Sequence, residues 1–549
     1  MEAVKTWRCS REELLGVEGA ERSEGDGGNW GGPRWPGDCG VRWNAASYNR
    51  ATGKGTAGRQ GVGGGRSTDR AGWTTQPPVM GRAAASSVRR LEGGPVSARV
   101  ASPTPDVGVE ELDAVRALQH ALYRAAKADP GRRFHALYDK VSRRDVVQRA
   151  WEQVRRNRGA PGIDQWTIAQ VEQYGVDRLL DKLAGALKDG SYRPLAARRV
   201  LIPKPGSTEQ RPLSIPTVTD RVVQAAVKIV LEPIFEADML DCSFGFRPRR
   251  AAHDGLQVVV DEAWKGRRWV VETDIADCFS AIPHSGLMSA VKERICDRKV
   301  LALLGAFLRA GVMEDGSVRR PVTGTPQGGV ISPVLCNVYL HRLDRAWRGA
   351  YGTLVRYADD LLVLCRSRGQ AEAALARLRA LLAGLGLQPK AAKTRIVHLT
   401  EGGEGFDFLG FHHRLVRTRP RRGTGGLVYL ARWPSRKAAQ HARDRIRLLT
   451  MRARLAAPVE QIVQEVNAFL RGWAGFFRYG NSAREFDKIR KYAVLRVALF
   501  VAKRHQRGRA WGFAQVYRSP DSLGLISLNG TVVAPRPNRP WRAPVEHRR

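Results

Sequence analysis

Residues Tyr357–Asp360 constrain the fold of this chain more than any other segment. They contain two adjacent aspartates, and apolar arms flank them at Leu354–Val355 and Leu361–Leu364. Because successive side chains of a strand point to opposite faces, two neighbouring aspartates reach one site only if the chain turns beside them. The pattern therefore predicts a β-hairpin with two carboxylates at its tip.

A third carboxylate is expected to arrive from another strand. Mg²⁺ takes oxygen ligands and is usually held by one or two carboxylates together with substrate phosphates. Asp274 is the candidate because it follows the apolar strand Trp269–Val271, where the chain leaves the sheet. Three converging carboxylates would suit two-metal nucleotidyl transfer. The alternative is that Asp359 and Asp360 are ordinary turn residues and that Asp274 caps a strand.

Ordered sequence blocks between about residue 145 and residue 500 resemble one protein family. In chain order the blocks are Gly159–Asp164, Ile202–Pro205 with Arg211–Pro216, Asp220–Gln224, Leu231–Phe235, Ser243–Pro248, Gly324–Pro333, Leu385–Leu387 with Lys393–Thr394, and Phe408–Phe411. Together they resemble group II intron-encoded proteins, which are reverse transcriptases with maturase activity. One departure is Gln165, which follows the first block where the family usually continues with glycine.

The resemblance implies an α+β fold of the right-hand polymerase type. Fingers and palm of the reverse-transcriptase type would precede an α-helical thumb or maturase domain and a short basic tail. The Gly- and Arg-rich N-terminal arm has no helical or strand period and is expected to be disordered and dispensable. The expected divisions are this arm at 1–108, the N-terminal extension and fingers at 109–269, the palm at 270–412, the thumb and maturase domain at 413–505, and a basic, candidate DNA-binding tail at 506–549.

The resemblance also implies roles for single residues. Asp274, Asp359 and Asp360 would be catalytic and would hold Mg²⁺, with Ile275 as a further metal contact. The residues that match the deoxynucleotide-binding positions of the family are Lys204, Arg211, Phe279 and Gln327.

Each of these nucleotide-site residues would also suit an ordinary structural role. Lys204 and Arg211 flank a predicted turn at Gly206–Ser207, and a charge pair at a turn would equally suit a solvated basic loop. Phe279 would equally suit a hydrophobic core. The glycines that follow Gln327 let the backbone approach a ligand closely, but they would also serve an ordinary tight turn.

The composition indicates a nucleic-acid partner. The formal net charge is +38, because 91 lysines and arginines outnumber 53 aspartates and glutamates. Such a charge attracts phosphate backbones and makes binding strongly salt-dependent. A GC-rich coding sequence would also enrich arginine, although codon bias does not readily explain so large an excess over acidic residues.

The segment from 435 to 505 is expected to be helical. Phe469, Trp473, Phe476 and Phe477 recur at helical spacing and predict a packed bundle core. The context Leu470–Trp473 resembles the maturase domain of the family. The basic residues expected to contact RNA are Arg471, Arg478, Lys488 and Lys491, together with Arg490, Arg496, Lys503 and Arg504 of the same basic helix.

Several classes of protein are disfavoured. The 7 cysteines form no CxxC pair, which argues against a disulfide framework and a cysteine zinc site. No apolar run reaches the roughly 20 residues needed to span a bilayer, and the N-terminus lacks an apolar signal core. We therefore expect a reduced protein of the bacterial cytosol or nucleoid with no membrane partner. The pattern does not indicate an oligomeric state.

The function expected from the residues and the resemblance is that of an RNA-directed DNA polymerase and intron maturase. Its expected cofactor is Mg²⁺, and its expected partners are group II intron RNA, an RNA template with a DNA primer, a DNA target and deoxynucleoside triphosphates. Two alternatives are a host-adopted reverse transcriptase in defence or repair and a splicing-only RNA-binding cofactor. The intact acidic triad disfavours the second alternative.

Residues 505–549 contain only His505 and His547 as metal-binding imidazoles and no cysteine. An HNH endonuclease is therefore not expected. The ribonucleoprotein is expected not to nick the bottom strand of a duplex target, so that reverse transcription would start from primers already present.

Overall fold

A computed structural model of the chain describes residues 113–203, 210–314, 317–319, 322–325, 327–418, 426–517 and 523–533. The predicted disordered arm, Lys204 and the predicted turn at 206–207 lie outside these ranges. By its internal contacts the chain divides into two units, and every described residue belongs to the one made of Met1–Trp43 and Leu112–Arg549.

The strands form three sheets. Sheet A has the order β2-β1-β4-β5, sheet B has the order β6-β7-β3-β8, and sheet C has the order β11-β10-β9. The strands are β1 (Ala197–Pro203), β2 (Gln210–Ile215), β3 (Trp269–Asp274), β4 (Val312–Glu314), β5 (Ser317–Arg319), β6 (Thr353–Tyr357), β7 (Asp360–Cys365), β8 (Arg395–His398), β9 (Phe406–Phe408), β10 (Phe411–Arg417) and β11 (Val428–Pro434).

Helices precede, separate and follow the sheets. None in the described ranges is long and apolar enough to cross a bilayer. The helices are α1 (Ala114–Ala128), α2 (Tyr138–Val141), α3 (Arg144–Asn157), α4 (Ile168–Tyr174), α5 (Val176–Asp189), α6 (Val218–Glu236), α7 (Ala252–Trp264), α8 (Cys278–Ala281), α9 (His284–Lys292), α10 (Arg298–Arg309), α11 (Ser332–Ala346), α12 (Arg368–Gly384), α13 (Arg436–Leu449), α14 (Val459–Phe477), α15 (Ala483–Arg504) and α16 (Arg509–Tyr517).

Helix α1 begins directly after the first described residue, Asp113. The carboxylate of Asp113 accepts hydrogen bonds from the backbone N–H groups of Val115 and Arg116, which fixes the start of the helix. Val115 and Leu122 of this helix are buried. They belong to a large hydrophobic core that α1, α3, α5 and α6 share with one face of sheet B.

Sheet C extends past the predicted end of the palm. β10 runs across residues 412 and 413 and pairs along its whole length with β11, so the expected division there does not coincide with a structural boundary. β9 and β10 are joined by Leu409 and Gly410, which both have positive φ. A two-residue hairpin with positive φ at both positions is a type I′ turn, whose twist matches that of the strands.

A second hydrophobic core joins the other face of sheet B and sheet C to the C-terminal helices α13–α16. Phe469, Trp473 and Phe477 are buried in it, so the predicted aromatic core of the helical region is confirmed. Val516 and Leu528 are buried there as well. The described residues 506–517 and 523–533 therefore contribute to this packed region, although the sequence suggested a separate basic tail beginning at 506.

The loop after the first family-like block has a strained residue. Gln165 has φ of 58°, a left-handed conformation that costs a residue with a Cβ roughly 1–2 kcal/mol. This is the position at which the resembled family usually has glycine, which adopts such angles without a steric penalty. The backbone angle therefore accounts for the preference for glycine at this position.

Replacing Gln165 by glycine is therefore expected to stabilise the protein. Relief of the strain should exceed the added chain entropy of glycine, so we expect the free energy of unfolding to rise by up to about 1 kcal/mol. Urea unfolding measures this directly. Gln173→Gly, the same exchange at an exposed position in α4, is the matched control and should lower the free energy of unfolding by about 1 kcal/mol. A destabilised Gln165→Gly protein would contradict the assigned backbone strain.

Candidate active site

The predicted carboxylate hairpin is present as β6 and β7. Tyr357 pairs with Asp360, so Ala358 and Asp359 form the connecting turn, and Ala358 has φ of 58°. The left-handed backbone at Ala358 makes the turn that two adjacent aspartates need in order to face one site. β3 pairs antiparallel with β7 and brings Asp274 directly opposite Asp360. The structure thus brings together the three aspartates that the sequence singled out.

The backbone fixes the turn against the end of β3. The N–H of Ile275 donates a hydrogen bond to the carbonyl oxygen of Asp359 at 3.1 Å. The side chain of Ile275 is buried and apolar, so only its backbone could contact a metal ion. The expected metal contact at Ile275 is therefore restricted to a backbone atom.

Lys393 is a site residue to which the sequence assigned no role. Its ammonium group donates to Oδ2 of Asp274 at 2.6 Å. The N–H of Lys390 also donates to the backbone carbonyl oxygen of Asp274 at 2.7 Å. The segment that carries Lys390 and Lys393 therefore holds both the backbone and the side chain of Asp274. Lys393 lies in one of the family-like blocks, and that block was the available sequence signal.

The three carboxylates repel one another. Desolvation, followed by the charges of Asp360 and Asp274, raises the pKa of Asp359 well above the usual carboxyl range. Within the described ranges, no group of three or more His, Cys, Asp or Glu side chains already has the arrangement needed to hold a metal ion. By their chemistry, however, the aspartates are the oxygen donors that Mg²⁺ prefers, and a divalent cation would relieve their repulsion.

Two candidate nucleotide residues, Phe279 on α8 and Gln327 on the loop before α11, lie on segments that contact each other. Phe279 is half-buried, its carbonyl oxygen accepts the N–H of Thr325 at 2.7 Å, and its ring meets that of Phe246 edge-on at 6.4 Å. Thr325 is close in sequence to Gln327, whose carbonyl oxygen accepts the N–H of Ser214 at 2.6 Å. The loop that carries Gln327 therefore bridges the residues after β3 and the strand β2.

Close packing explains a glycine next to Gln327. Gly328 has φ of 113°, and a Cβ there would lie 2.4 Å from the carbonyl oxygen of Ser214. Arg211 is half-buried and lies on β2 opposite Ile202 of β1, with which β2 pairs antiparallel. Lys204 is outside the described residues. The binding of a nucleotide by Lys204, Arg211, Phe279 and Gln327 stays a prediction.

The basic residues expected to bind RNA lie on α14, directly after its end and on α15. Arg471 is exposed, whereas Arg478 is half-buried with its guanidinium 5.7 Å from the ring of Tyr479. Lys488 and Lys491 are exposed on α15. Their ammonium groups pair with Glu485 at 2.6 Å and Asp487 at 2.7 Å.

Two further arginines of α15 have structural contacts. Arg496 donates to the hydroxyl and the carbonyl oxygen of Thr450. Arg504 donates to the carbonyl oxygens of Leu455 and Ala457. Both side chains tie α15 to the segment between α13 and α14, which differs from the expected RNA contact. The partly buried acceptors need hydrogen-bond donors, and the two guanidinium groups provide them.

Comparison with known families agrees with the order of these parts. Residues 202–413 match the family described as reverse transcriptase (RNA-dependent DNA polymerase). Residues 439–517 match the group II intron, maturase-specific domain. Protein YkfC of Escherichia coli (strain K12) is 34% identical over 375 residues, which cover 60% of this chain and 96% of YkfC. The chain belongs to the family of group II intron-encoded proteins.

Other members of this intron-encoded family match shorter segments. Group II intron-encoded protein LtrA of Lactococcus lactis subsp. cremoris is 40% identical over 214 residues, which cover 39% of this chain and 35% of LtrA. Nuclear intron maturase 2, mitochondrial, of Arabidopsis thaliana is 31% identical over 166 residues, which cover 23% of this chain and 22% of that protein. The match thus spans about a third of the length of LtrA.

The two matched domains contain the candidate residues of this intron-encoded protein. Asp274, Asp359 and Asp360 lie in the reverse-transcriptase domain. Arg471 and Arg478 lie in the maturase-specific domain. The mixed arrangement of helices and sheets is consistent with an α+β fold of the reverse-transcriptase type.

The repulsion at the turn makes a prediction about stability. Because the pKa of Asp359 is raised in the folded state, its ionised form destabilises the fold. In a buffer with EDTA, Asp359→Asn should therefore raise the temperature of thermal unfolding at neutral pH. The gain should vanish below the ordinary carboxyl pKa of about 4, where both states are protonated, and grow as the pH rises from there towards the raised pKa.

Asp407→Asn serves as a control, because Asp407 lies at a half-exposed position beside His412. It should not produce this rising gain. Equal unfolding temperatures for the wild type and Asp359→Asn across the pH range would contradict the proposed repulsion.

Proposed function

We propose that the protein is an RNA-directed DNA polymerase and intron maturase. It binds group II intron RNA, assists its splicing and copies RNA into DNA by two-metal nucleotidyl transfer. The observation that carries the proposal is the pairing of Asp274 with Asp360 beside Asp359, within the segment that matches reverse transcriptases and ahead of a maturase-specific segment. One chain would thus have both a polymerising site and an RNA-binding region.

Mg²⁺ is the proposed cofactor of this site. When bound, the ions would activate the 3′-hydroxyl of the primer and stabilise the leaving pyrophosphate. Asp274, Asp359 and Asp360 would hold them, with the backbone of Ile275. Lys393 orients the carboxylate of Asp274 through its contact of 2.6 Å. The raised pKa of Asp359 supports the proposal, because a cluster of carboxylates that is costly by itself suits a cation.

The proposed nucleotide substrate is a deoxynucleoside triphosphate. Lys204 and Arg211 would contact its phosphates, while Phe279 and Gln327 would lie near its sugar. Two observations support this part. The side-chain oxygen of Gln327 is buried and has no hydrogen-bond partner among the described residues, which suits a ligand contact. Ser214, which holds the Gln327 loop, lies on the same strand as Arg211.

The helices α13–α15 are proposed to act as the thumb and as part of the RNA-binding surface. The fingers would then lie within 109–269, and the palm would begin at residue 270. Arg471, Arg478, Lys488 and Lys491 would contact the backbone of the intron RNA or of the template with its primer, and the strong positive charge would also favour a DNA target. Arg471 is the best supported, because it is exposed and has no acidic partner among the described residues.

Removal of one carboxylate tests the chemistry. Asp359→Ala should abolish primer extension on an RNA template, since the metal-binding set loses a ligand, while RNA affinity stays nearly unchanged. Asp407→Ala removes a carboxylate outside the cluster and should extend primers like the wild type. If Asp359→Ala retained most of the extension activity, the proposed site would be wrong.

A second test separates RNA binding from polymerisation. Arg471→Ala combined with Arg478→Ala should weaken binding of the intron RNA and reduce the slope of log affinity against log salt by up to about two units. Asp359→Ala should still support splicing, because folding assistance depends on the basic surface rather than on metal chemistry. Filter binding over a salt series and a splicing assay measure the two effects.

Arg368→Ala with Arg379→Ala is the matched control for the arginine pair. Both arginines are exposed on α12 and their replacement removes the same net charge. This control should bind RNA nearly as tightly as the wild type. Equal affinity of the Arg471 and Arg478 double variant at every salt concentration would exclude these residues from the RNA interface.

A further inference from the structure

The residue directly before Tyr357 is a fully buried arginine. The side chains of Arg356 and Asp344 are both completely inaccessible to solvent. The Nε of Arg356 donates to Asp344 at 2.7 Å, and a second nitrogen donates to the other carboxylate oxygen. The remaining terminal nitrogen donates to the side-chain oxygen of Asn337 at 3.0 Å and to the carbonyl oxygen of Ala358 at 3.2 Å. One guanidinium group therefore connects helix α11 to the carboxylate turn.

Stability alone does not account for this arrangement. Burial of two charges is costly, and well-packed apolar residues of similar volume are often as stable or more stable in the same place. What an apolar pair cannot do is hold the carbonyl oxygen of Ala358 in a defined position. We propose that Arg356 is a positioning residue, which with Asp344 and Asn337 sets the orientation of Asp359 for catalysis. This inference rests on the proposed polymerase function.

The loop Cys242–Arg247 supports the same turn from another side. The N–H of Arg356 donates to the carbonyl oxygen of Cys242 at 2.7 Å, and its own carbonyl oxygen accepts the N–H of Phe244 at 2.8 Å. A Cβ on Gly245 would lie 2.5 Å from the backbone nitrogen of Ala358, so the loop packs directly against the turn. Hence the turn lies between this loop and α11.

Asn337 joins the two supports. Its side-chain nitrogen donates to the carbonyl oxygen of Gly245 at 2.8 Å, and its side-chain oxygen accepts from Arg356 at 3.0 Å. The amide group is buried, so each of these hydrogen bonds has a defined direction. The loop, the helix and the guanidinium group form one connected network around Ala358.

This network has a specific kinetic consequence. A shift of a catalytic group by a fraction of an ångström slows the chemical step, whereas substrate contacts made elsewhere are unaffected. Arg356 and Asp344 are fully buried and so do not touch a primer, a template or a nucleotide. Their removal should lower kcat and leave KM nearly unchanged, because the lost interaction affects the transition state.

The test exchanges the ion pair for an apolar pair. Arg356→Met combined with Asp344→Leu leaves no buried unpaired charge, so the variant should fold with an unfolding temperature close to that of the wild type. Its kcat for primer extension should fall about a hundredfold, with KM for the nucleotide and for the primer with its template unchanged. Circular dichroism, thermal unfolding and steady-state kinetics measure these quantities.

Arg294→Met combined with Asp238→Leu is the matched control. Arg294 is also buried and pairs with Asp238 at 3.2 Å, but its two terminal nitrogens also donate to the carbonyl oxygens of Pro130 and Ala126, away from the turn. The same chemical exchange there should leave kcat unchanged. A folded Arg356→Met, Asp344→Leu variant with the kcat of the wild type would overturn the inference.

Asn337→Ala keeps the test decisive if the apolar pair fails to fold. This variant removes the link between Gly245 and Arg356 without leaving an unpaired charge, and it should also lose kcat at constant KM. A wild-type kcat in folded Asn337→Ala would overturn the inference as well. Absence of extension by the wild-type chain would instead contradict the proposed function itself, and this inference with it.

Discussion

The antiparallel register between β3 and β7 is the constraint on which the candidate site depends. It brings Asp274 opposite Asp360, and continuation of the same ladder brings the carbonyl oxygen of Asp359 to the N–H of Ile275. A slip of one residue would turn Asp274 to the other face of the sheet. Both faces of sheet B are buried in hydrophobic cores, so such a slip would move every side chain of the strand into the opposite core and disrupt close packing on both faces. Packing far from the turn therefore fixes which carboxylates meet.

Within that register the charges oppose folding. Three carboxylates converge while the pKa of Asp359 is raised by desolvation and by its neighbours. The ammonium group of Lys393 offsets charge at Asp274 through a contact of 2.6 Å. Functional sites commonly have strain or repulsion of this kind, because a group arranged for a ligand is not arranged for stability. The buried pair of Arg356 and Asp344 then has a clear physical role, since a turn that repels itself needs a rigid support.

The hydrophobic cores also explain how the polymerase-like part and the C-terminal helices are connected. Val270 and Leu364 of sheet B share a core with Phe411 of sheet C and Phe477 of α14. An RNA-binding surface on α14 would therefore be coupled to the sheet of the carboxylates through continuous packing. The predicted end of the palm at residue 412 does not coincide with a structural boundary. β10 crosses this position and completes its backbone hydrogen bonds with β11.

Sequence alone determined the features that depend on neighbours along the chain. The hairpin at Tyr357–Asp360, the aromatic core of α14 and the family-like blocks all follow from local periodicity and turn chemistry. Tertiary structure alone decided the contacts between distant residues, such as Lys393 on Asp274, which are 119 positions apart, and the network around Arg356. A charged residue in a sequence is equally compatible with a solvated surface and a buried pair, and only packing decides which environment surrounds it.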